Sequence, residues 1–175
     1  MLTQVTGQFG PVVVARLDPH ADLLECLYEI ARTNNMKAGV ILSITGSLEH
    51  AVLQKFEKGS GNEDTIGVLE VEGPMEASGH GVIGIVDAPE RGDVPFGVGG
   101  YVHGEPYVHV HLSVTSAEHN LVGHVMKGCR VRSHQPISHF TIMVAPVEGV
   151  ALKHTIDGTP ESGRRGVYHL LETTN

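Results

Sequence analysis

The chain has no tryptophan, only 5% aromatic residues and two cysteines in 175 residues. With so few rings, a core must be filled by aliphatic side chains. Cys26 and Cys129 stand alone, with no CxxC spacing, and read as reduced thiols rather than a disulfide framework. Lys and Arg number 12 against 20 Asp and Glu, a formal net charge of −8. That balance opposes a simple polyanion-binding role, because affinity for nucleic acid rests on neutralising phosphates with Lys and Arg. The basic residues are scattered; the small groups at Lys127, Arg130, Arg132 and at Arg164, Arg165 read as solvated surface. The longest apolar runs, "PVVVA" and "GVILSI", fall far short of the roughly 20 residues that cross a bilayer. The first ten residues show neither a basic start nor the apolar core of a secretory signal. The expectation is a cytoplasmic protein with no membrane partner.

What is present describes a folded chain: 41% hydrophobic residues, 22 glycines and a mean hydropathy near zero. Length and composition predict one domain over residues 1–175, with a core of about residues 10–147 and a C-terminal extension from 148 to 175. "GPVVVARL" reads as an opening strand, and Asp18-Pro19 as a helix start. Leu23, Leu24, Leu27, Ile30 and Ala31 then keep helical spacing up to a stop at Asn34-Asn35. "AGVILSITGSL", "EHAVLQKFE", "TIGVLEVEG" and "MEASGHGVIGIVD" read as four further strands. Residues 88–106, rich in Pro and Gly, form a long loop, and loops of that length are often functional. "YVHVHLSV", "LVGHVM" and "SHFTIMVAPV" complete the strands. The last two dozen residues, including "DGTPESGRRG", read as a loosely held tail in which "VYHLLE" can add an edge strand. One helix among many strands predicts an α+β domain, a mixed or largely antiparallel sheet packed with one main helix.

The histidines are the unusual feature: eight of the 12 lie between His80 and His139. On a strand, successive side chains alternate faces, so Tyr107, His109, His111 and Ser113 share one face and Val108, Val110, Leu112 and Val114 the other. The valine face belongs to the core. His109 and His111 then stand side by side, their Cα atoms roughly 7 Å apart, close enough to converge on one ion. A turn at "SAEHN" would return "LVGHVM" antiparallel and bring in His124, with Gly123 allowing close backbone approach. Three neutral imidazoles with an open position suit a catalytic or ligand-binding metal site better than a closed structural one. The plainer account is polar alternation on a half-buried strand, and the residues alone leave both open. His80 and His103 have no spacing argument, while His20, His50, His154 and His169 read as surface. Glu70 and Glu72 share a strand face and are candidates for a general base or for a carboxylate behind the ligands, against a solvated strand face. No dinucleotide fingerprint, phosphate loop or GxSxG nucleophile motif occurs.

Taken in order, "ARLDPHADLLECLYEIARTNNMKAGVILSITGSLEHAVL", "GVLEVEGPMEASG", "VHVHLSV" and "LVGHVMKGCRV" resemble the PPC (plants-and-prokaryotes-conserved) domain family, from about Arg16 to Val144. The resemblance implies an α+β homotrimer. In bacterial and archaeal members it implies a divalent transition metal, usually assigned as zinc, on the histidines matching His109, His111 and His124. Bacterial members often carry a DNA-binding label, inherited from plant proteins in which the domain accompanies AT-hooks. This chain has no AT-hook, since "SGRRG" lacks an Arg-Gly-Arg-Pro core. Val122-Gly123-His124 replaces Gly-Gly-His, and His139 stands near the position of an expected acidic residue. The 88–106 loop is longer than the family pattern and is a candidate lid or trimer contact. Three function classes follow: a DNA-associated regulator, favoured by label and opposed by charge; a metal-dependent enzyme on a small carbonyl or anionic substrate, with Glu70 or Glu72 as base; and a non-catalytic sensor or scaffold with a small ligand at a subunit interface.

Overall fold

Two strands of unusual length organise the molecule. In the computed structural model, which describes residues 2–59, 65–97, 99–156 and 166–174, the elements run β1 (Gln8–Phe9), β2 (Val13–Arg16), α1 (Leu23–Thr33), β3 (Gly39–Glu57) and β4 (Thr65–Val86). There follow β5 (Pro106–Thr115), β6 (Asn120–Val125), β7 (Arg130–Val131), β8 (Thr141–Glu148), β9 (Val150–Ile156) and β10 (Val167–Thr173). β3 and β4 each replace two strands expected from the sequence. The glycines that suggested breaks are instead places of close packing: a Cβ on Gly46 would lie 2.5 Å from the Phe140 ring, and one on Gly73 would lie 2.5 Å from the Leu48 carbonyl oxygen.

β3 pairs along one edge with β4 and along the other with β8, β7 and β6 in turn. β4 continues to β5, β5 to β6, and β6 returns to β3, so the pairings close into a ring. All pairings are antiparallel except β4 with β9, which makes the sheet mixed as predicted. A single main helix among the described residues matches the α+β expectation.

α1 begins later than Asp18-Pro19. The Asp18 carbonyl accepts the Ala21 N–H in a turn, and His20 adopts φ 66° with its ring held by Glu49, so residues 18–21 are already spent on the turn. Asp22 caps the helix instead. Its Oδ1 accepts the N–H groups of Leu24 and Glu25, and its Oδ2 accepts that of Gly128, which ties the helix start to the turn before β7. Leu23, Leu27 and Ala31 are buried in a cluster with Ile41, Ile44, Leu53, Val108, Val110, Leu112 and Val114. Burying the two leucines is worth about 1.5–3 kcal/mol each. A second, smaller cluster lies elsewhere on the sheet, built from Val86, Phe96, Tyr101, Tyr107 and Ile156.

The C-terminal segment is not a tail where it is described. β9 and β10 form a seven-pair antiparallel hairpin, with β10 at the sheet edge. Most of "DGTPESGRRG" lies outside the described residues. Cys26 and Cys129 are both free thiols.

Candidate metal centre

β5 alternates as its sequence requires. Val108, Val110, Leu112 and Val114 are at most 1% exposed, while His109 and His111 point the other way. β6 runs antiparallel beside them, and its register sets His124 directly opposite His111. Gly123 matters to this placement: a Cβ there would lie 2.9 Å from both the Gln54 carbonyl oxygen and the Leu53 Cβ, so glycine lets β6 sit tight against β3.

The ring nitrogens of His109, His111 and His124 offer three donor atoms that all lie within 4.8 Å of one another. His109 Nε2 and His111 Nε2 are 3.1 Å apart. Two nitrogens on one tetrahedral zinc, each at about 2.05 Å, would be separated by about 3.3 Å. The donor set and its spacing therefore fit a zinc-like ion, with His111 exposed enough to adjust. Behind the ligands stands Tyr107, 2% exposed, whose hydroxyl lies 2.6 Å from His109 Nδ1 and 2.9 Å from His169 Nε2. With Nε2 as ligand, His109 carries its proton on Nδ1 and donates it to the Tyr107 oxygen, and the tyrosine O–H donates to His169. Burial, then the charges of His109 and His111, push the His124 imidazole down to about 4; burial first, then His111 and His169, also lowers His109. Both rings are thereby neutral at pH 7, the form that binds metal.

The three histidines line a cavity of about 590 Å³. Phe56, Ile66, Val122, Val167 and Tyr168 form its apolar mouth, and Tyr101 and Tyr107 its inner wall. His154, read from sequence as surface, is 5% exposed and packs parallel to Tyr107 at 4.4 Å and to Phe96 at 5.6 Å. Neither of its ring nitrogens has a hydrogen-bond partner among the described residues. No carboxylate lines the cavity among the described residues, in a chain of 20 Asp and Glu.

The other sequence candidates lie elsewhere. Glu70 and Glu72 approach His50 Nε2 at 3.8 and 3.6 Å, while His50 Nδ1 donates to the Gly128 carbonyl. His50 is buried, against its reading as surface. His80 is the register partner of His111 on β4 but is not one of the three converging rings. His103 Nδ1 accepts the Ala88 N–H, and His139 is exposed and off the cavity wall. Sequence reasoning missed the roles of Tyr101, His154 and His169, which come from the long loop and the C-terminal hairpin. Tyr107 alone carried a local signal, since it shares the strand face of His109.

The family model for the Plants and Prokaryotes Conserved (PCC) domain, the PPC family named above, matches residues 4–138. No curated protein matches the sequence. Among solved structures, the chain is similar to a metal-containing protein of Archaeoglobus fulgidus, with a TM-score of 0.66 and 20% identity over 90% of this chain and 94% of the other. It is also similar to a plant- and prokaryote-conserved protein of Pyrococcus horikoshii, with a TM-score of 0.62 and 16% identity over 87% and 90% of the two chains. A third is a candidate DNA-binding protein of Ralstonia eutropha JMP134, with a TM-score of 0.57 and 16% identity over 90% and 89%. At these identities the likeness is one of fold.

Proposed function

The chain belongs to the Plants and Prokaryotes Conserved domain family, and from that premise we propose that it holds a divalent transition metal, zinc, on His109, His111 and His124 and uses it on a small carbonyl or anionic compound. The observation that carries this reading is the convergence of three ring nitrogens within 4.8 Å on the wall of a 590 Å³ cavity. Zinc held there supplies Lewis acidity to an oxygen donor of the bound compound. The chain's own part is positional: Tyr107 fixes the His109 ring, the β5–β6 register fixes His111 against His124, and apolar side chains line the mouth. Glu70 and Glu72 take no part in this proposal, because their carboxylates lie against His50 and off the cavity wall.

The DNA reading attaches to the name of a structural neighbour. Against it stand the charge of −8 and the pairing of the basic side chains: Lys127 with Glu25 at 2.8 Å, Arg130 with Glu49 at 3.8 Å and Arg32 with Glu105 at 2.7 Å. We further propose a cytoplasmic homotrimer. The exposed apolar side chains Val12, Val14, Leu42 and Met143 on and beside β2, β3 and β8 support self-association, and among the described residues no helix is long and apolar enough to cross a membrane.

The test is elemental analysis of tag-free protein, alongside His109→Ala and His124→Ala, with mass by light scattering. About one zinc per chain in wild type and none in variants that keep the wild-type mass supports the proposal. Wild-type protein that takes up no zinc overturns the metal site, and a monomer mass overturns the trimer.

A further inference from the structure

The cavity carries polar groups at two places in an apolar body. One is the three histidines. The other is His154, sandwiched between Phe96 and Tyr107 and 5% exposed, with both ring nitrogens unpaired among the described residues. A buried polar group without a partner costs about 1–3 kcal/mol, so a ring kept in that state wants a partner from outside the chain. Gly97, at φ 66°, sits beside Nε2, where a Cβ would lie 3.9 Å away, and both Gly97 and His154 line the cavity. Tyr101 closes the ring edge at 4.7 Å, which confines any partner to the cavity side.

Charge narrows the occupant. The cavity lining holds Lys55 and no Asp or Glu among the described residues, in a chain of net charge −8. A lining without carboxylates among the described residues, in so acidic a protein and beside a dication on the metal reading, favours an anion. The walls of Phe56, Ile66, Val122, Tyr101 and Tyr107 favour a flat or apolar body. A volume of 590 Å³ exceeds the needs of acetate or phosphate and lies in the range of pockets for drug-sized molecules, about 300–1,000 Å³.

We propose, resting on the metal reading above, that the cavity binds a small aromatic carboxylic acid bearing a hydroxyl or similar polar group remote from its carboxylate. The carboxylate sits at the three-histidine end, the ring lies along Tyr101 and Tyr107, and the remote group hydrogen-bonds the neutral His154 ring. The three histidines and the two tyrosines lie within the matched family segment of residues 4–138, whereas β9 brings His154, and β10 brings Tyr168 and His169, from outside it. The contact with the remote polar group is therefore a contribution of this chain's C-terminal hairpin.

The test uses 6-hydroxy-2-naphthoate as fluorescent probe, with 2-naphthoate lacking the hydroxyl and 2-naphthol lacking the carboxylate. Zinc content is measured on every sample. The expected result is at least about tenfold tighter binding of the hydroxynaphthoate to zinc-loaded than to metal-free protein, with 2-naphthol insensitive to zinc. Loss of the hydroxyl should cost about tenfold in wild type and nothing in His154→Phe, which keeps the stack but removes both nitrogens. Ile66→Asp, a second variant at the exposed mouth and away from the three histidines in sequence, should weaken both carboxylates about tenfold and leave zinc content unchanged. Zinc-loaded protein that ignores the carboxylates, or binds 2-naphthol equally well, overturns this inference and spares the metal site. Protein that takes up no zinc overturns both.

Discussion

His154 should make the protein acid-sensitive in a way one substitution removes. Burial, then the nearby His169 and His109 rings, push its imidazole down to about 4 from an ordinary value of 6.5. The groups facing it are the Tyr101, Tyr107, Phe96 and His169 rings, so no carboxylate among them offsets a charge there. Because the folded-state value lies below the unfolded one, the unfolded chain takes up the proton first. The stability owed to neutral His154 is thus complete above about 6.5 and is lost as pH falls toward 4. For those two values the loss between pH 7 and pH 5 is about 2 kcal/mol. Urea unfolding of metal-free protein in chelator, wild type against His154→Phe, isolates the contribution of this ring, since the depressed His124 acts equally in both. The variant should lose about 2 kcal/mol less than wild type over that interval. At pH 7.5 it should be as stable as wild type or about 1 kcal/mol more so, because an unpaired buried polar group is gone. Parallel pH profiles for the two proteins would refute the reasoning and mean that the His154 nitrogens are solvated.

Tyr107→Phe should keep the ring stack with His154 while stripping the partner from His109 Nδ1 and His169 Nε2, and zinc affinity by chelator competition should fall about tenfold. Gly123→Ala drives a methyl into the Gln54 carbonyl and Leu53; the unfolding free energy should drop by about 1–3 kcal/mol and zinc per chain should fall with it. Leu27→Ala empties a fully buried position on the other side of β5 and should cost about 2–5 kcal/mol while folded protein keeps its full zinc content. Fluorescence anisotropy on a labelled duplex should show no binding that steepens as salt is lowered; a steep slope would instead reveal several neutralised phosphates and revive the DNA reading.

The parts of this structure legible in sequence are those fixed by short-range periodicity. "YVHVHLSV" declares its two faces because a strand has period two, and the pairing of His111 with His124 follows once "SAEHN" is read as a turn. The α1 stripe was equally plain from Leu23, Leu27 and Ala31. Its start was not, since Asp18 and Asp22 are both good caps and the choice rests on distant contacts, His20 with Glu49 and Asp22 with the Gly128 N–H. Glycine misled in the opposite sense. In β3 and β4 it marks where another chain segment presses close, as Phe140 does on Gly46, and a single sequence cannot distinguish that from a break. His154 and His169 were illegible because Tyr107 lies 47 positions from the first and 62 from the second, and Phe96 lies 58 from His154. Only the three-dimensional path of β9 beside β4 brings them in.

The hairpin that carries His154 and His169 joins β4 through a short parallel seam, Ile85 with Lys153 and Val86 with His154. The β5–β6 ladder that carries His109, His111 and His124 is a separate antiparallel seam. The far wall of the cavity and its three-imidazole shelf are therefore held by different sets of backbone hydrogen bonds, and the first can open while the second stays closed.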